Sequence, residues 1–96
     1  MNYQQYLLIK LAEEASELAQ IALKTAQFGL YNTCPTTNET NIQRVTAEYN
    51  DVIAIAEMIN TEIYDNLERD TYLVDAKRQK VMKYLEYSKE AGCVVE

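Results

Sequence analysis

Histidine and tryptophan are absent from this 96-residue chain, proline occurs once, and glycine, like cysteine, occurs twice. Without histidine, imidazole-based acid–base catalysis and the common His-containing zinc sites are excluded. Di-iron carboxylate bundles, which rely on Glu-x-x-His motifs, are set aside for the same reason. The scarcity of glycine and proline, with hydrophobic residues at 48%, argues for helices rather than turn-rich β structure or disorder. Cys34 and Cys93 stand alone, in no ligand-type spacing, and read as ordinary reduced thiols, with a disulfide as the alternative. No apolar run reaches the 18 residues of a membrane span, and Met1-Asn2-Tyr3-Gln4-Gln5 lacks the basic start of a secretory signal. A soluble cytoplasmic protein with no membrane partner is expected. The net charge of −6 leaves the chain as a whole without an electrostatic footprint for nucleic acid.

What is present is helical periodicity. Residues 3–28 form one long amphipathic pattern, with apolar positions at Leu7, Leu8, Leu11, Ala15, Leu18, Ala19, Ala22 and Phe28 and Gly29 as a stop. Residues 29–41, rich in Thr and Asn around Pro35, read as a loop. Thr40 with Gln43 resembles a capping box opening a helix over about 41–64. Asp65-Asn66-Leu67 marks a break, and a last helix over about 70–91 ends at Gly92. The expected fold is all-α: residues 1–96 as a single domain, an antiparallel helical bundle of three main helices. So short a chain buries a modest core, so completion by homo-oligomerisation, most simply as a dimer, is expected as well.

Two of these helices carry acids where their packing stripes call for Leu or Ile. At about 100° per residue, Leu7, Leu11, Glu14, Leu18 and Ile21 share one stripe, as do Val45, Glu48, Val52, Ile55 and Ile59. Each intruding carboxylate has a second acid three residues on, Glu17 and Asp51, adjacent on the helix surface. Antiparallel packing of the two stripes would bring the four carboxylates together. Their mutual repulsion in a medium of low dielectric is strong, and burial of an ionised carboxylate without a partner costs several kcal/mol. A divalent cation resolves both problems, and all-oxygen ligands favour Mg²⁺ or Mn²⁺. Glu13, about 100° around from Glu14, is placed for a supporting contact or a further metal. Glu13 itself, like Glu57, Glu62 and Glu68, reads first as a solvated helix-face acid.

These residues carry a family resemblance. Glu13-Glu14-Ala15-Ser16-Glu17, followed some thirty residues later by Glu48-Tyr49-Asn50-Asp51, resembles the EExxE…ExxD signature of the MazG-like all-α nucleoside triphosphate pyrophosphohydrolases. The start Leu7-Leu8-Ile9-Lys10-Leu11-Ala12, the Phe28-Gly29 helix end and the segment from Lys80 to Ser88 extend the similarity to short, phage-type members over nearly the whole chain. The resemblance implies Mg²⁺-dependent cleavage of a nucleoside triphosphate between its α and β phosphates, giving a monophosphate and pyrophosphate. It implies metal ligands at Glu14, Glu17, Glu48 and Asp51, with Glu13, Glu14 and Glu17 as the catalytic acids, and assembly as dimers or pairs of dimers. The chain departs from the pattern at Ala47, where many members carry an acid, and at Asn50, where they carry a small residue.

Phosphate binding has a candidate in the last helix, where Lys77, Lys80, Lys83, Tyr84 and Tyr87 fall within an arc of about 120° beside Val74, Val81 and Leu85. Lys10 and Lys24 flank the first acidic motif as balancing charges. Arg44 and Asn41, one and two turns before the second motif, are weaker candidates for substrate contact, and Phe28, Tyr31, Tyr49 and Tyr64 are candidates for stacking on a base. Two other functions compete. One is a non-catalytic helical interaction module that pairs through its apolar stripes; the other is a pyrophosphohydrolase of a phosphoribosyl-nucleotide.

Overall fold

The first apolar pattern folds as expected. In the computed structural model, which describes residues 1–62 and 67–95, helix α1 spans Tyr3–Phe28. A capping box starts it: the Asn2 side-chain oxygen accepts from the Gln5 backbone N–H at 2.8 Å, and the Asn2 N–H donates to Gln5 Oε1 at 2.9 Å. Gly29 ends it at φ 98°, a conformation that glycine adopts without a Cβ penalty, and donates its N–H to Thr25 O at 2.8 Å. Helix α2 spans Asn41–Glu62. The capping box read from Thr40 and Gln43 is present, with Thr40 N–H on Gln43 Oε1 at 2.8 Å and Gln43 N–H on Thr40 Oγ1 at 3.2 Å. Helix α3 spans Thr71–Glu90, its first turn capped by Asp70, whose carboxylate accepts from Leu73 N–H at 3.0 Å. Asp65 and Asn66 of the expected break, and Tyr64, lie outside the described residues.

α1 and α2 pack antiparallel. Gln4, at the start of α1, donates to Glu62 O at the end of α2 at 3.4 Å, while Asn41 Nδ2 at the start of α2 donates to Gly29 O at 2.9 Å. Asn41 is 2% exposed. Its amide therefore closes the hairpin from inside and satisfies a carbonyl left open at the end of α1. The connection is more structured than a plain tether. Thr33 and Thr40 form an antiparallel bridge, Asn41 N–H reaches Asn32 O at 2.9 Å, and Ile42 N–H reaches Leu30 O at 2.9 Å.

Burial follows the predicted stripes. Leu7 and Ile21 are buried on α1 with Leu11, Glu14 and Leu18 part-buried between them. Ile59 is buried on α2 below part-buried Val45, Glu48, Val52 and Ile55. The remaining apolar positions read from the first helix, Leu8, Ala15, Ala19, Ala22 and Phe28, are exposed, because the single partner helix covers only a narrow strip.

The expected three-helix bundle is not what the single chain forms. Among the described residues, α3 makes no packing contact with α1 or α2, and it buries no residue. The molecule measures 47 × 40 × 21 Å. A 26-residue helix is about 39 Å long, so extents of 47 and 40 Å along two axes fit a third helix held away from the hairpin. The physical reason lies in the helix itself: its apolar residues Val74, Val81 and Leu85 form a thin seam, and lysines occupy the neighbouring face.

Candidate functional site

Antiparallel packing of the two stripes brings the intruding acids together. Glu14 and Glu17 from α1 and Glu48 from α2 each offer a carboxylate oxygen, all within 4.8 Å of one another. Glu14 and Glu48 are part-buried and Glu17 is exposed at the rim. Glu14 Oε2 and Glu48 Oε2 are shielded from solvent and accept no hydrogen bond among the described residues. Such orphaned acceptors are uncommon in folded proteins and invite a donor or a cation.

The electrostatics follow from this crowding. Desolvation, then the Glu17 carboxylate beside it, and then Asp51 and Glu48 raise the proton affinity of Glu14 above that of an ordinary glutamate. Glu48 is raised by the same desolvation, followed by repulsion from Glu17 and Asp51. Asp51 thus acts on both acids through its charge, although it is exposed and outside the group of three close oxygens. Glu13 stands outside the group of three close oxygens, although it lines a neighbouring depression with Glu17 and Gln20. It pairs with Lys10 at 3.0 Å, and the Lys10 ammonium also sits 5.6 Å from the centre of the Tyr6 ring. Lys10 therefore pairs with Glu13 and reaches Glu14 only through its charge. Asn50, at the position departing from the family pattern, donates to Thr46 O of its own helix at 2.8 Å.

Beyond the carboxylates the same groove turns cationic. A cleft of about 310 Å³ is lined by Glu17, Gln20, Ile21, Lys24, Arg44 and Glu48. Neither Lys24 nor Arg44 makes a side-chain ion pair or hydrogen bond among the described residues, and Arg44 Nη1 is shielded from solvent with no acceptor. The cleft thus holds an unpaired guanidinium nitrogen on one wall and the Glu17 and Glu48 carboxylates on its lining. Sequence reasoning ranked Lys24 and Arg44 low and overlooked Gln20. Their signal was positional: Lys24 lies about 20° from Glu17 around α1, and Arg44 about 40° from Glu48 around α2.

Lys24 and Arg44 also line a second cavity, of about 300 Å³, with Phe28, Asn32, Thr33, Cys34, Pro35 and Asn41. Here the loop folds tightly: Cys34 N–H reaches Glu39 O and Asn38 N–H reaches Cys34 O, both at 2.8 Å, with Asn38 at φ 61°. The Cys34 thiol, 3.2 Å from Thr36 Oγ1, is lowered to about 6 by the hydroxyls of Thr36 and Thr37. Both cysteines are free. Phe28 is the one base-stacking candidate that lines this cavity. Tyr31 and Tyr49 are largely exposed, and Tyr64 is outside the described residues.

The strip Lys77, Lys80, Lys83, Tyr84 and Tyr87 is exposed on α3 and, with α3 off the hairpin, is not brought to the carboxylates of its own chain. No described helix is long and apolar enough to cross a membrane. Comparison with protein-family models, curated proteins and solved structures found no match to this chain.

Proposed function

We propose that this chain is a Mg²⁺-dependent nucleoside triphosphate pyrophosphohydrolase, resembling the MazG-like enzymes, that cleaves between the α and β phosphates. The observation that carries the reading is the convergence of Glu14, Glu17 and Glu48 from two antiparallel helices, with two oxygens shielded from water and unpartnered. That donor set, hard oxygens without nitrogen or sulfur, fits Mg²⁺ or Mn²⁺. Glu14, Glu17 and Glu48 would hold the ion, with Asp51 adding negative charge at the edge. Bound there, it supplies Lewis-acid neutralisation of phosphate oxygens and lowers the pKa of water.

The chain's own residues account for the rest. Lys24 and Arg44 hold the anionic phosphates in the cleft they line with Glu17 and Glu48, and a guanidinium matches phosphate oxygens in geometry and charge. Charge complementarity fixed in advance of binding is the main catalytic resource for phosphoanhydride hydrolysis. With no histidine in the chain, a proton leaving the attacking water goes to a carboxylate of this group.

The test is a screen for Mg²⁺-dependent pyrophosphate release across dNTPs, NTPs and phosphoribosyl-nucleotides, run beside Glu14→Gln. Turnover of a nucleoside triphosphate that Glu14→Gln abolishes, with helical content retained, supports the proposal. Preference for a phosphoribosyl-nucleotide would shift the substrate and keep the site. In ¹⁸O water the label should enter the monophosphate; label confined to pyrophosphate would move the attack to the β-phosphorus.

A second reading, a non-catalytic association module, draws on the exposed apolar surface of α3. It predicts that Mg²⁺ leaves the thermal melt unchanged, whereas a metal-binding site raises the midpoint by mass action.

A further inference from the structure

The groove between α1 and α2 changes chemistry along its length. At one end Glu14 and Glu17 meet Glu48. One to two turns further on, Lys24 and Arg44 line both the acidic cleft and the cavity against the 29–41 connection, so the two spaces share a cationic wall. Past these cations the lining is neutral: the Phe28 ring, Pro35, the Asn32 and Asn41 amides and the Thr33 hydroxyl. The polar groups there are unspent. Asn41, 2% exposed, gives its Nδ2 to Gly29 O, which leaves its Oδ1 with no hydrogen bond among the described residues. Asn32 and Thr33 hold the loop through their backbones, and their side chains make no hydrogen bond among the described residues. Phe28 leaves 55% of its surface open.

We propose that the cavity of the 29–41 connection is a nucleoside subsite. The base lies on Phe28 with an N–H edge toward Asn41 Oδ1, the sugar meets Asn32 and Thr33, and the phosphate chain passes Lys24 and Arg44 into the carboxylate cleft. An aromatic face with a few unspent amide and hydroxyl groups is how proteins hold a base and its sugar. Charge sets the direction. A base in the acidic cleft would leave Glu17 and Glu48 without a cation, and phosphates in the neutral cavity would have only the shared wall to answer them. Length agrees, because Glu17 and Phe28 lie about 16 Å apart along α1, a span that an extended nucleotide covers from phosphates to base. Selection of the nucleoside would then reside in the folded connection, and hydrolysis in the helices. The subsite rests on the hydrolase reading for what the carboxylates hold; its own lining argues for the nucleoside.

Cys34 lines the cavity and serves as a built-in reporter, with the exposed Cys93 as the reference. The full chain in Mg²⁺ is treated with limiting iodoacetamide, and alkylation at each cysteine is followed by mass spectrometry. The probes are α,β-methylene analogues of the four deoxynucleoside triphosphates, which resist cleavage at that bond, and inorganic tripolyphosphate, which has the phosphates without the nucleoside. At least one analogue should slow Cys34 fivefold or more while Cys93 keeps its rate, and tripolyphosphate should slow Cys34 less than twofold. Phe28→Ala, at a half-exposed position, should weaken the protecting affinity at least tenfold. Equal protection by tripolyphosphate would make the cavity a phosphate site and overturn the proposal, as would no protection by any analogue or an unchanged affinity in Phe28→Ala. Protection by a nucleotide in a protein that releases no pyrophosphate would defeat the hydrolase reading alone. Pyrophosphate release with Cys34 unprotected and KM unchanged in Phe28→Ala would defeat the subsite alone.

Discussion

Truncating Leu7 probes the packing that positions the site. Leu7 is 0% exposed, and it is one of only three buried apolar side chains among the described residues, with Ile21 and Ile59. Antiparallel register, fixed by Gln4 on Glu62 O, sets Leu7 level with Ile59, two turns from Glu14 on one helix and three from Glu48 on the other. Leu7→Ala removes the buried branched end and leaves a cavity that two stiff helices close poorly, a loss of about 3 kcal/mol within a range of roughly 2–5. A chain of this length has about 5–14 kcal/mol in total, so the loss is a large share. With a shift of about 4–8 °C per kcal/mol for domains of this size, the midpoint should fall by about 12–24 °C. The assay is a thermal melt followed by far-ultraviolet circular dichroism at fixed protein concentration, since a dimer's midpoint depends on it. Leu23→Ala, at a position 73% exposed, is the control and should stay within about 0.5 kcal/mol. If Leu7→Ala melts together with Leu23→Ala, the apolar stripes do not hold the hairpin, and the argument that places the acids between them fails.

Four further outcomes follow from the geometry. Because Glu14 and Glu48 bind protons more tightly folded than unfolded, the metal-free native state gains protons relative to the unfolded chain as pH falls from neutrality toward 4.5. Their contribution to stability therefore improves on acidification, and melts in EDTA should show Glu48→Gln flattening that pH dependence; an unchanged profile would refute the crowding. The same Glu48→Gln substitution should erase any Mg²⁺-induced rise in melting midpoint, measured by adding MgCl₂ to the EDTA-treated protein. Arg44→Ala and Lys24→Ala should each lower kcat/KM for a triphosphate by about tenfold or more, equivalent to about 1.4 kcal/mol, and equal kinetics to wild type would remove them from the phosphate site. Cys34 should alkylate with iodoacetamide along a titration centred at about 6, and Thr36→Val should move that midpoint upward.

The amino-acid pattern alone determined the local structure. The apolar spacing, the Thr40–Gln43 box and the Gly29 stop specified where helices begin and end, because caps and periodicity act over a few residues. It also singled out Glu14 and Glu48, since a carboxylate amid Leu and Ile is conspicuous in one dimension. Tertiary structure decided what those acids meet. Only the antiparallel register sets Glu48 against Glu14 and Glu17, separates Glu13 onto Lys10, and turns Lys24 and Arg44, residues on different helices, into the two walls of one cleft. The position of α3 was likewise invisible to periodicity, which states that a helix has an apolar face but not whose surface covers it. A helix records its own faces in its spacing; its partner is chosen by area and charge spread over the whole molecule.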